Sequence, residues 1–255
     1  MTNSPDASSV DLAKRLGAEA RVMNVISSQE LSSCVREVRL RGGATALGGV
    51  AGNDVMIRLF DENGRAIRRR YSVRDVDQVS DELVLWVTTD HEGPGVRWAL
   101  DARVGEPVDV VGPRGKIPLD PRADWHLFVG DVSGLGAFYR MAQSIEVPGR
   151  AVFIVEIDHP DDALTAAFDD GLGVTGIFVN RDGRNLDDPA GLLSGLATFA
   201  YPPDQGHAYL FGEFHVMRVI ESALRDRGLS PEAISHKSFW RVGRRNADHG
   251  EPQKD

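Results

Sequence analysis

The segment DPRADWHLFVG, residues 120–130, separates two sequence patterns that predict two kinds of fold. Its second half, WHLFVG, is a short apolar run that ends in Gly130, which is typical of a strand buried in a parallel sheet. After it, further apolar runs alternate with helical stretches. These runs are AVFIVEI, GVTGIFVN, HAYLFGE and HKSFWRV, at residues 151–157, 173–180, 207–213 and 236–242. Strands that alternate with helices predict a doubly wound, Rossmann-like parallel sheet with helices on both faces.

Two helical stretches of this second half bear on the expected core. The clearest has Phe214, Met217, Ile220 and Leu224 on one face, which predicts packing against the sheet. A shorter helix is expected in DDALTAAF, residues 161–168.

Before the dividing segment the sequence is typical of β-structure. Short runs with alternating apolar residues are separated by Gly, Pro and Asp signals. The runs are SCVREVRLRG, VMIRLF, RRYSV, ELVLWVTT and EPVDVVGP, at residues 33–42, 55–60, 69–73, 82–89 and 106–113. Their near-regular spacing predicts a small antiparallel barrel or sandwich. We therefore expect a flexible N-terminus (1–20), a β-barrel domain (21–122), an α/β domain (123–245) and a disordered tail (246–255).

Composition excludes several classes of protein. The 255 residues carry a formal net charge of -9, which disfavours binding to nucleic acid because phosphates require a basic surface. Cys34 is the single cysteine, so a disulfide framework, a thiolate zinc site and a protein-ligated iron–sulfur cluster are excluded. The seven histidines show no close pair at metal-ligand spacing, and no metal site is assigned. No run of about 18 apolar residues and no secretory signal occur, so we expect a cytoplasmic protein without a membrane span.

A first candidate binding motif is Arg70-Tyr71-Ser72-Val73-Arg74. The strand places a cation, an aromatic ring and a hydroxyl in succession, which suits a flavin: Arg70 for the diphosphate, Tyr71 for ring stacking and Ser72 for the isoalloxazine edge. A half-solvated strand with outward arginines explains the same residues.

Two glycine-containing loops follow this strand. In HEGPGVRWA, residues 91–99, glycines would let backbone amides approach a phosphate at the start of a helix. GPRGK, residues 112–116, makes a tight turn that carries two cations. A plain loop and a plain turn remain the alternatives.

Together these three segments resemble the siderophore-interacting protein family of flavin reductases, relatives of the ferredoxin reductases. The family has an R-x-Y-[ST]-x-R strand, a Gly-Pro…Trp-Ala segment and a Gly-Pro-Arg-Gly turn. The resemblance continues through Gly130-Asp131, FIVEI, the helix FGEFHVMRVIESAL and the terminal Phe239-Trp240-Arg241-Val242-Gly243-Arg244, and covers roughly residues 20–245. The loop Val132–Ala137 departs from the family's Glu-Thr-Ala-Leu-Pro-Ala but stays small and Gly-rich.

The resemblance implies a Greek-key barrel that binds FAD and an α/β domain that binds NADH or NADPH. It implies transfer of electrons from the nicotinamide through FAD to a ferric siderophore, with release of iron in the cytoplasm. The flavin carries the chemistry, and no catalytic side chain is assigned. The implied cofactor-binding residues are Arg70, Tyr71, Ser72, Val73, His91, Gly93, Gly95, Trp98, Gly112, Arg114, Gly115, Gly130, Asp131, Ser133, Gly134 and Glu156.

Two questions stay open at this point. Glu156 and Asp158 favour the ribose diol of NADH, whereas Arg181 and Arg184 favour the 2′-phosphate of NADPH. The basic residues Lys237, Arg241, Arg244 and Arg245 form either a funnel for an anionic siderophore or a solvated tail.

Alternative functions are an FAD-dependent oxidoreductase of an organic substrate or protein partner, and a flavin-binding protein that has lost its nicotinamide site. Both a monomer and a homodimer fit the sequence.

Overall fold

The computed structural model describes residues 4–47, 49–115, 117–164 and 173–243. The chain divides into two compact units. One comprises residues up to Leu119 together with Tyr139–Met141, and the other comprises Asp120–Phe138 together with the residues from Ala142 onward. Each unit has a hydrophobic core of its own.

The first unit is a closed antiparallel barrel of six strands. They are β1 (Glu19–Ser32), β2 (Val35–Arg41), β3 (Asp54–Phe60), β4 (Ala66–Asp77), β5 (Glu82–Thr88) and β6 (Pro107–Arg114). The order β1-β2-β5-β4-β3-β6 pairs β2 with β5 and β3 with β6, as a Greek key requires. The prediction of an antiparallel Greek-key barrel is confirmed. Closure leaves no free sheet edge, which protects so small a sheet from pairing with other chains.

The barrel interior is filled by alternate residues of each strand. In β5, Leu83, Leu85 and Val87 join the core, and in β3 Val55 and Ile57 do so. A helix, α2 (Pro94–Asp101), follows β5 and begins with the Pro-Gly of the sequence motif. The burial of Val96 and Ala99 anchors α2 on the barrel.

The N-terminal region differs from the expected flexible segment 1–20. Residues Ala7–Leu16 form a helix, α1, whose N-cap Asp6 accepts a 2.9 Å hydrogen bond from the Ser8 backbone. Gly17 ends it in the left-handed conformation, with a φ of 61°. Ser9 Oγ donates to Asp109 Oδ2 of β6 at 3.0 Å, so tertiary contacts order the segment.

The second unit contains a five-stranded parallel sheet of order β11-β10-β7-β8-β9. Its strands are β7 (Trp125–Asp131), β8 (Ala151–Ile157), β9 (Thr175–Asn180), β10 (Gly206–Glu213) and β11 (Ile234–Trp240). The helices are α3 (Leu135–Ala142), α4 (Ala190–Thr198) and α5 (Phe214–Asp226). The predicted doubly wound sheet is confirmed. Of the helix expected at 161–168, the described part is a single 3₁₀ turn, Pro160–Ala163, and residues 165–172 lie outside the described chain.

The two faces of this sheet have different cores, because neighbouring side chains of a strand alternate in direction. On one face aliphatic residues of the strands pack with α4 and α5. Of the predicted stripe, Met217, Ile220 and Leu224 are fully buried there, whereas Phe214 is only partly buried and lies outside this core. On the other face Phe128, Phe138 and their neighbours form an aromatic stack. All strands are parallel, so their carboxyl ends meet at one edge, where ligands of such sheets bind.

Candidate functional site

Strand alternation separates the residues of the predicted flavin motif. Arg70 and Ser72 lie opposite Met56 and Asp54 of β3, whereas Tyr71 lies opposite the buried Val55. Arg70 and Ser72 therefore share one face of β4, and Tyr71 lies on the core side. The expectation that one cofactor contacts all three along the strand stays a prediction, and it requires the cofactor to reach both faces of β4, because successive strand residues point to opposite faces.

On the core side of β4, Tyr71 packs against the start of α2. Its ring centroid lies 5.7 Å from that of Trp98, at an interplanar angle of 36°. A Cβ added to Gly95 would lie 2.5 Å from the Tyr71 hydroxyl oxygen and 3.7 Å from Cγ of Arg69. Gly95 is thus the residue that permits this approach. Burial raises the pKa of Tyr71, so its phenol remains protonated as a hydrogen-bond donor.

Arg69 is the residue that the sequence analysis missed. It stands two positions before Tyr71 and so projects to the same face of β4. The family pattern R-x-Y-[ST] places an arginine at this spacing, and that spacing was the available signal. We call Arg69, Tyr71, Gly95 and Trp98 the barrel cradle.

On the outer face of the barrel the remaining predicted residues lie close to one another. Arg114 of β6 pairs in register with Asp54, which also pairs with Ser72. The Arg114 guanidinium contacts the sulfur of Met56 at 3.5 Å, and Met56 lies opposite Arg70. Two arginines and a hydroxyl therefore gather on one patch of the barrel surface.

Several predicted glycines serve close packing of the barrel itself. A Cβ on Gly112 would lie 2.9 Å from Val55 Cγ1, and one on Gly115 would lie 2.1 Å from Asn53 Oδ1. Val73 is buried, and its N–H donates to the Asn53 carbonyl at 2.9 Å.

The other predicted residues near α2 face open space. His91 is exposed, with Nδ1 3.0 Å from Asp90 Oδ1. No atom of the residues that the structure describes lies within 4 Å of the position of a Cβ on Gly93, directly before the first turn of α2.

The barrel cradle suits a flavin nucleotide. The indole Nε1 of Trp98 is buried and donates to no group among the residues that the structure describes. Open space at Gly93 adjoins the amides of the first turn of α2, which favour an anion. Arg69 and Arg70 directly precede Tyr71 and lie on opposite faces of β4. An aromatic ring, a helix start and nearby guanidiniums are the groups that an isoalloxazine and a diphosphate require.

In the parallel sheet, Asp131 holds the strand ends together. Its Oδ1 accepts a 2.9 Å hydrogen bond from the Ser133 backbone and one from the Ser133 hydroxyl. Its Oδ2 accepts from the Glu213 backbone at 3.1 Å and from Trp240 Nε1 at 3.0 Å. Each oxygen of the carboxylate thus accepts two hydrogen bonds from protein donors.

The glycines of the same turn are also required by packing. A Cβ on Gly130 would lie 1.9 Å from the Phe211 carbonyl oxygen, and one on Gly134 would lie 2.9 Å from the Phe138 ring. A bulky side chain at Gly134 would therefore disturb the fold as well as any nucleotide contact.

Glu156, expected to meet a ribose, is instead buried in ion pairs. Its two carboxylate oxygens accept from Arg181 Nε at 3.1 Å and from Arg184 at 3.2 Å. Arg181 also donates to Asp158 at 3.0 Å. The acidic and basic residues that favoured different nucleotides are thus partners of one another.

The predicted substrate-binding residues lie at the edge strand of the sheet and beyond it. The Lys237 ammonium lies 5.2 Å from the centroid of the Phe239 ring, and the Arg241 guanidinium lies 4.9 Å from that of Phe214. Both cations thus rest on aromatic faces. Arg244 and Arg245 lie outside the described residues.

Comparison with known proteins identifies the family. The siderophore-interacting FAD-binding domain matches residues 39–117, and the siderophore-interacting protein family matches residues 123–243. The chain belongs to the siderophore-interacting protein family. The first match falls in the barrel unit, and the second covers the strands of the parallel sheet. The resemblance stated from the motifs is confirmed.

Individual relatives support this membership. An uncharacterized protein of Mycobacterium tuberculosis is 32% identical over 189 residues, 69% of this chain and 65% of the relative. The chain thus matches about two thirds of that relative's length. The ferric vibriobactin reductase ViuB of Vibrio cholerae is 32% identical over 99 residues, 38% of this chain and 36% of ViuB.

Among solved structures, a siderophore utilization protein from T. fusca superimposes with a TM-score of 0.78. It covers 91% of this chain and 96% of its own, at 24% sequence identity. This likeness extends the family fold over both units.

Among the described residues, no helix is long and apolar enough to span a bilayer. No group of three or more His, Cys, Asp or Glu side chains among them is arranged to hold a metal ion. Cys34, the single cysteine, is buried in the barrel.

Proposed function

We propose that this member of the siderophore-interacting family is an FAD-dependent reductase that passes electrons from NADH or NADPH to a ferric siderophore. The observation that carries the proposal is the barrel cradle, where the Tyr71 hydroxyl approaches the start of α2 to within 2.5 Å of the position of a Cβ on Gly95. Such a site supports the binding of a flavin, and the family supports iron as the acceptor. ViuB, which bears the name of a ferric siderophore reductase, matches part of the chain.

The residues that would hold FAD have separate tasks. Tyr71 would stack on the isoalloxazine, and Arg69 and the amides at the start of α2 would neutralise the diphosphate. Arg70, Ser72 and Arg114 supply further polar contacts on the outer face. When bound there, FAD would supply the acceptance of a hydride from the nicotinamide and the transfer of its two electrons one at a time, so that each nicotinamide could reduce two ferric ions.

The siderophore itself would be attracted by positive charge. Lys237 and Arg241 are cations on or next to the edge strand of a chain that is acidic overall. Ferric catecholates and many ferric hydroxy acids are anions, so a local basic region favours their approach. Reduction to the less charged ferrous ion weakens the grip of such oxygen ligands, which would release the iron.

The test is a two-step reaction under anaerobic conditions. The purified chain is reconstituted with FAD, and NADH or NADPH is added while flavin absorbance is followed. A ferric catecholate is then supplied with a ferrous-specific chelator. We expect bleaching in the first step, and flavin reoxidation with two ferrous ions formed per nicotinamide in the second. A chain that binds no FAD would contradict the flavoprotein proposal. Bleaching without iron reduction would indicate that the electron acceptor is an organic molecule or a protein partner.

A further inference from the structure

We infer that the parallel sheet accepts a nucleotide with a free ribose 2′-hydroxyl, so that the chain uses NADH in preference to NADPH. The inference rests on the proposed function and makes it specific. It comes from four ion-paired side chains, which we call the carboxyl-end cluster: Glu156, Asp158, Arg181 and Arg184.

The carboxyl-end cluster lies where a parallel sheet binds nucleotides. Glu156 is near the end of β8, in register with Asp131 at the end of β7. Asp158 follows β8 directly, and Arg181 follows β9 directly. In dinucleotide-binding sheets the ribose of the adenosine lies beyond the second strand, and the charges there decide between a hydroxyl and a phosphate.

The four charges of the cluster neutralise one another. Arg181 bridges the two carboxylates, at 3.1 Å to Glu156 and 3.0 Å to Asp158, and Arg184 contacts the remaining oxygen of Glu156 at 3.2 Å. Two carboxylates and two guanidiniums leave no net charge. An incoming 2′-phosphate carries between one and two negative charges and would need an uncommitted cation here.

Burial makes Arg181 expensive to redirect. The side chains of Glu156 and Arg181 are 5% and 7% exposed. Separating a buried carboxylate from its cation leaves an uncompensated charge, which is strongly destabilising. α4 packs against Glu156 and Arg184, because a Cβ on Gly191 would lie 2.5 Å from Oε1 of Glu156 and 2.5 Å from the Arg184 guanidinium.

Asp158 is the most exposed member, with 35% of its side chain accessible. Only its Oδ2 faces Arg181, so the carboxylate has further acceptor capacity for a ribose hydroxyl. The same charge repels a phosphate at that position. The exposed group thus favours the diol, and the cations that would favour a phosphate are committed to carboxylates.

The experiment measures binding and turnover with the FAD-reconstituted chain. NAD⁺ and NADP⁺ are titrated by calorimetry, and the rate of flavin bleaching is measured with NADH and NADPH. We expect NAD⁺ to bind about tenfold more tightly, with a similar ratio in the bleaching rates at low nucleotide concentration. Equal or stronger binding of NADP⁺ would overturn the inference.

Two variants test the assigned residues. Asp158→Asn should lower the preference for NAD⁺ by about three- to tenfold, because it removes the exposed repulsive charge. Glu156→Gln should shift the ratio in the same direction by releasing Arg184, with its melting temperature checked because Glu156 is buried. Asp124→Asn is the matched control, since Asp124 is an exposed carboxylate paired with Arg150 at 3.3 Å beside the amino end of β7.

The outcomes are distinct. A change in Asp158→Asn no larger than that in Asp124→Asn would overturn the role of Asp158. A chain that binds neither NAD⁺ nor NADP⁺, and whose flavin neither NADH nor NADPH bleaches, would overturn the proposed function itself.

Discussion

The indole Nε1 of Trp240 donates a 3.0 Å hydrogen bond to the carboxylate of Asp131, across 109 residues of chain. Asp131 ends β7 and Trp240 ends β11, and β10 lies between these strands in the sheet. The same carboxylate oxygen accepts the Glu213 backbone N–H at the end of β10. One buried carboxylate therefore joins the carboxyl ends of three parallel strands. Hydrogen bonds to a charged acceptor are stronger than neutral ones.

This bond leads to a prediction about stability. A double-mutant cycle of Asp131→Ala and Trp240→Phe should give a coupling energy of about 1.5–3 kcal/mol in the unfolding free energy. Each single variant already removes the same charge-assisted hydrogen bond, so the double variant does not lose it a second time. The measurement is urea denaturation followed by far-ultraviolet circular dichroism. A coupling energy below about 0.5 kcal/mol would show that the bond is not a stabilising link.

A second prediction concerns Gly95 and separates flavin binding from folding. Gly95→Ala raises intrinsic helix propensity in α2 but places a Cβ 2.5 Å from the Tyr71 hydroxyl. We expect the affinity for FAD to fall by about tenfold or more, since the cradle must open. The melting temperature without FAD should change little. The control is Asp101→Ala at the exposed end of the same helix. Wild-type FAD affinity in Gly95→Ala would show that the barrel cradle is not part of the flavin site.

A third prediction distinguishes the two arginines before Tyr71. Arg69→Ala should lower FAD affinity by about one to two orders of magnitude, because Arg69 shares the face of Tyr71 and a charge-assisted contact is lost. Arg70→Ala removes the same charge from the opposite face and is the matched control, with a smaller expected effect. Calorimetric titration of the flavin-free variants with FAD measures both. A larger loss in Arg70→Ala would restore the assignment first made from the sequence.

The fourth prediction is a pH dependence that arises in the aromatic layer of the sheet. His126 is 3% exposed, and its Nδ1 lies 3.5 Å from the Tyr209 hydroxyl. Burial, with His207 nearby, lowers the pKa of His126 to about 4; Asp120 opposes this shift and Arg150 adds to it. The unfolded chain, with an ordinary histidine pKa of about 6.5, therefore takes up a proton before the folded chain does.

The contribution of His126 to the unfolding free energy is thus fully present above about pH 6.5 and is lost as the pH falls towards 4. Between pH 7 and pH 5 His126 alone should cost about 2 kcal/mol of unfolding free energy. Burial lowers the pKa of His207 in the same direction. The pKa of Asp120 is also lowered, and its protonation changes the unfolding free energy only at more acidic pH. Urea denaturation at both pH values measures the loss, and His126→Phe should reduce it. An unchanged pH dependence in that variant would show that His126 is not the group that titrates.

The fifth prediction concerns the basic residues of β11 and its end. Lys237→Gln and Arg241→Gln should each slow reduction of an anionic ferric chelate by about threefold to tenfold at low salt. Added salt should slow the wild type in the same way, whereas bleaching by nicotinamide should be spared. Arg150→Gln removes an equal charge beside the amino end of the sheet and serves as the control. Equal effects of all three variants would reduce the role of Lys237 and Arg241 to overall charge.

The sequence alone determined the architecture, because hydrophobic periodicity is a local property that is visible in the sequence without any tertiary contact. Five of the six barrel strands and all strands of the parallel sheet were predicted from short apolar runs and their turns. The strand that was missed, β1, carries Ser27, Ser28 and Gln29 in its middle, and these polar residues hide its alternation. The helix α1 was also missed, although local signals mark its ends: Asp6 is its N-cap and Gly17 its C-cap.

The sequence also indicated the segments that form the candidate sites, but it could not decide what each residue contacts there. Arg70 was chosen over Arg69 because a motif is linear, whereas a strand presents every second residue to one face. Asp131 and Gly134 were assigned to a nucleotide, yet tertiary contacts show the carboxylate filled by Ser133, Glu213 and Trp240, and the glycine pressed against Phe138.

The clearest case is the choice between a ribose hydroxyl and a phosphate. Read along the chain, Glu156 and Asp158 oppose Arg181 and Arg184, and the two signals cannot be weighed against each other. Only the parallel pairing of β8 with β9 brings these charges within 3.0–3.2 Å, where they neutralise one another. Residue types and their order are properties of the sequence. The availability of a charge to a ligand depends on what else lies within hydrogen-bond distance, and that is decided by tertiary structure.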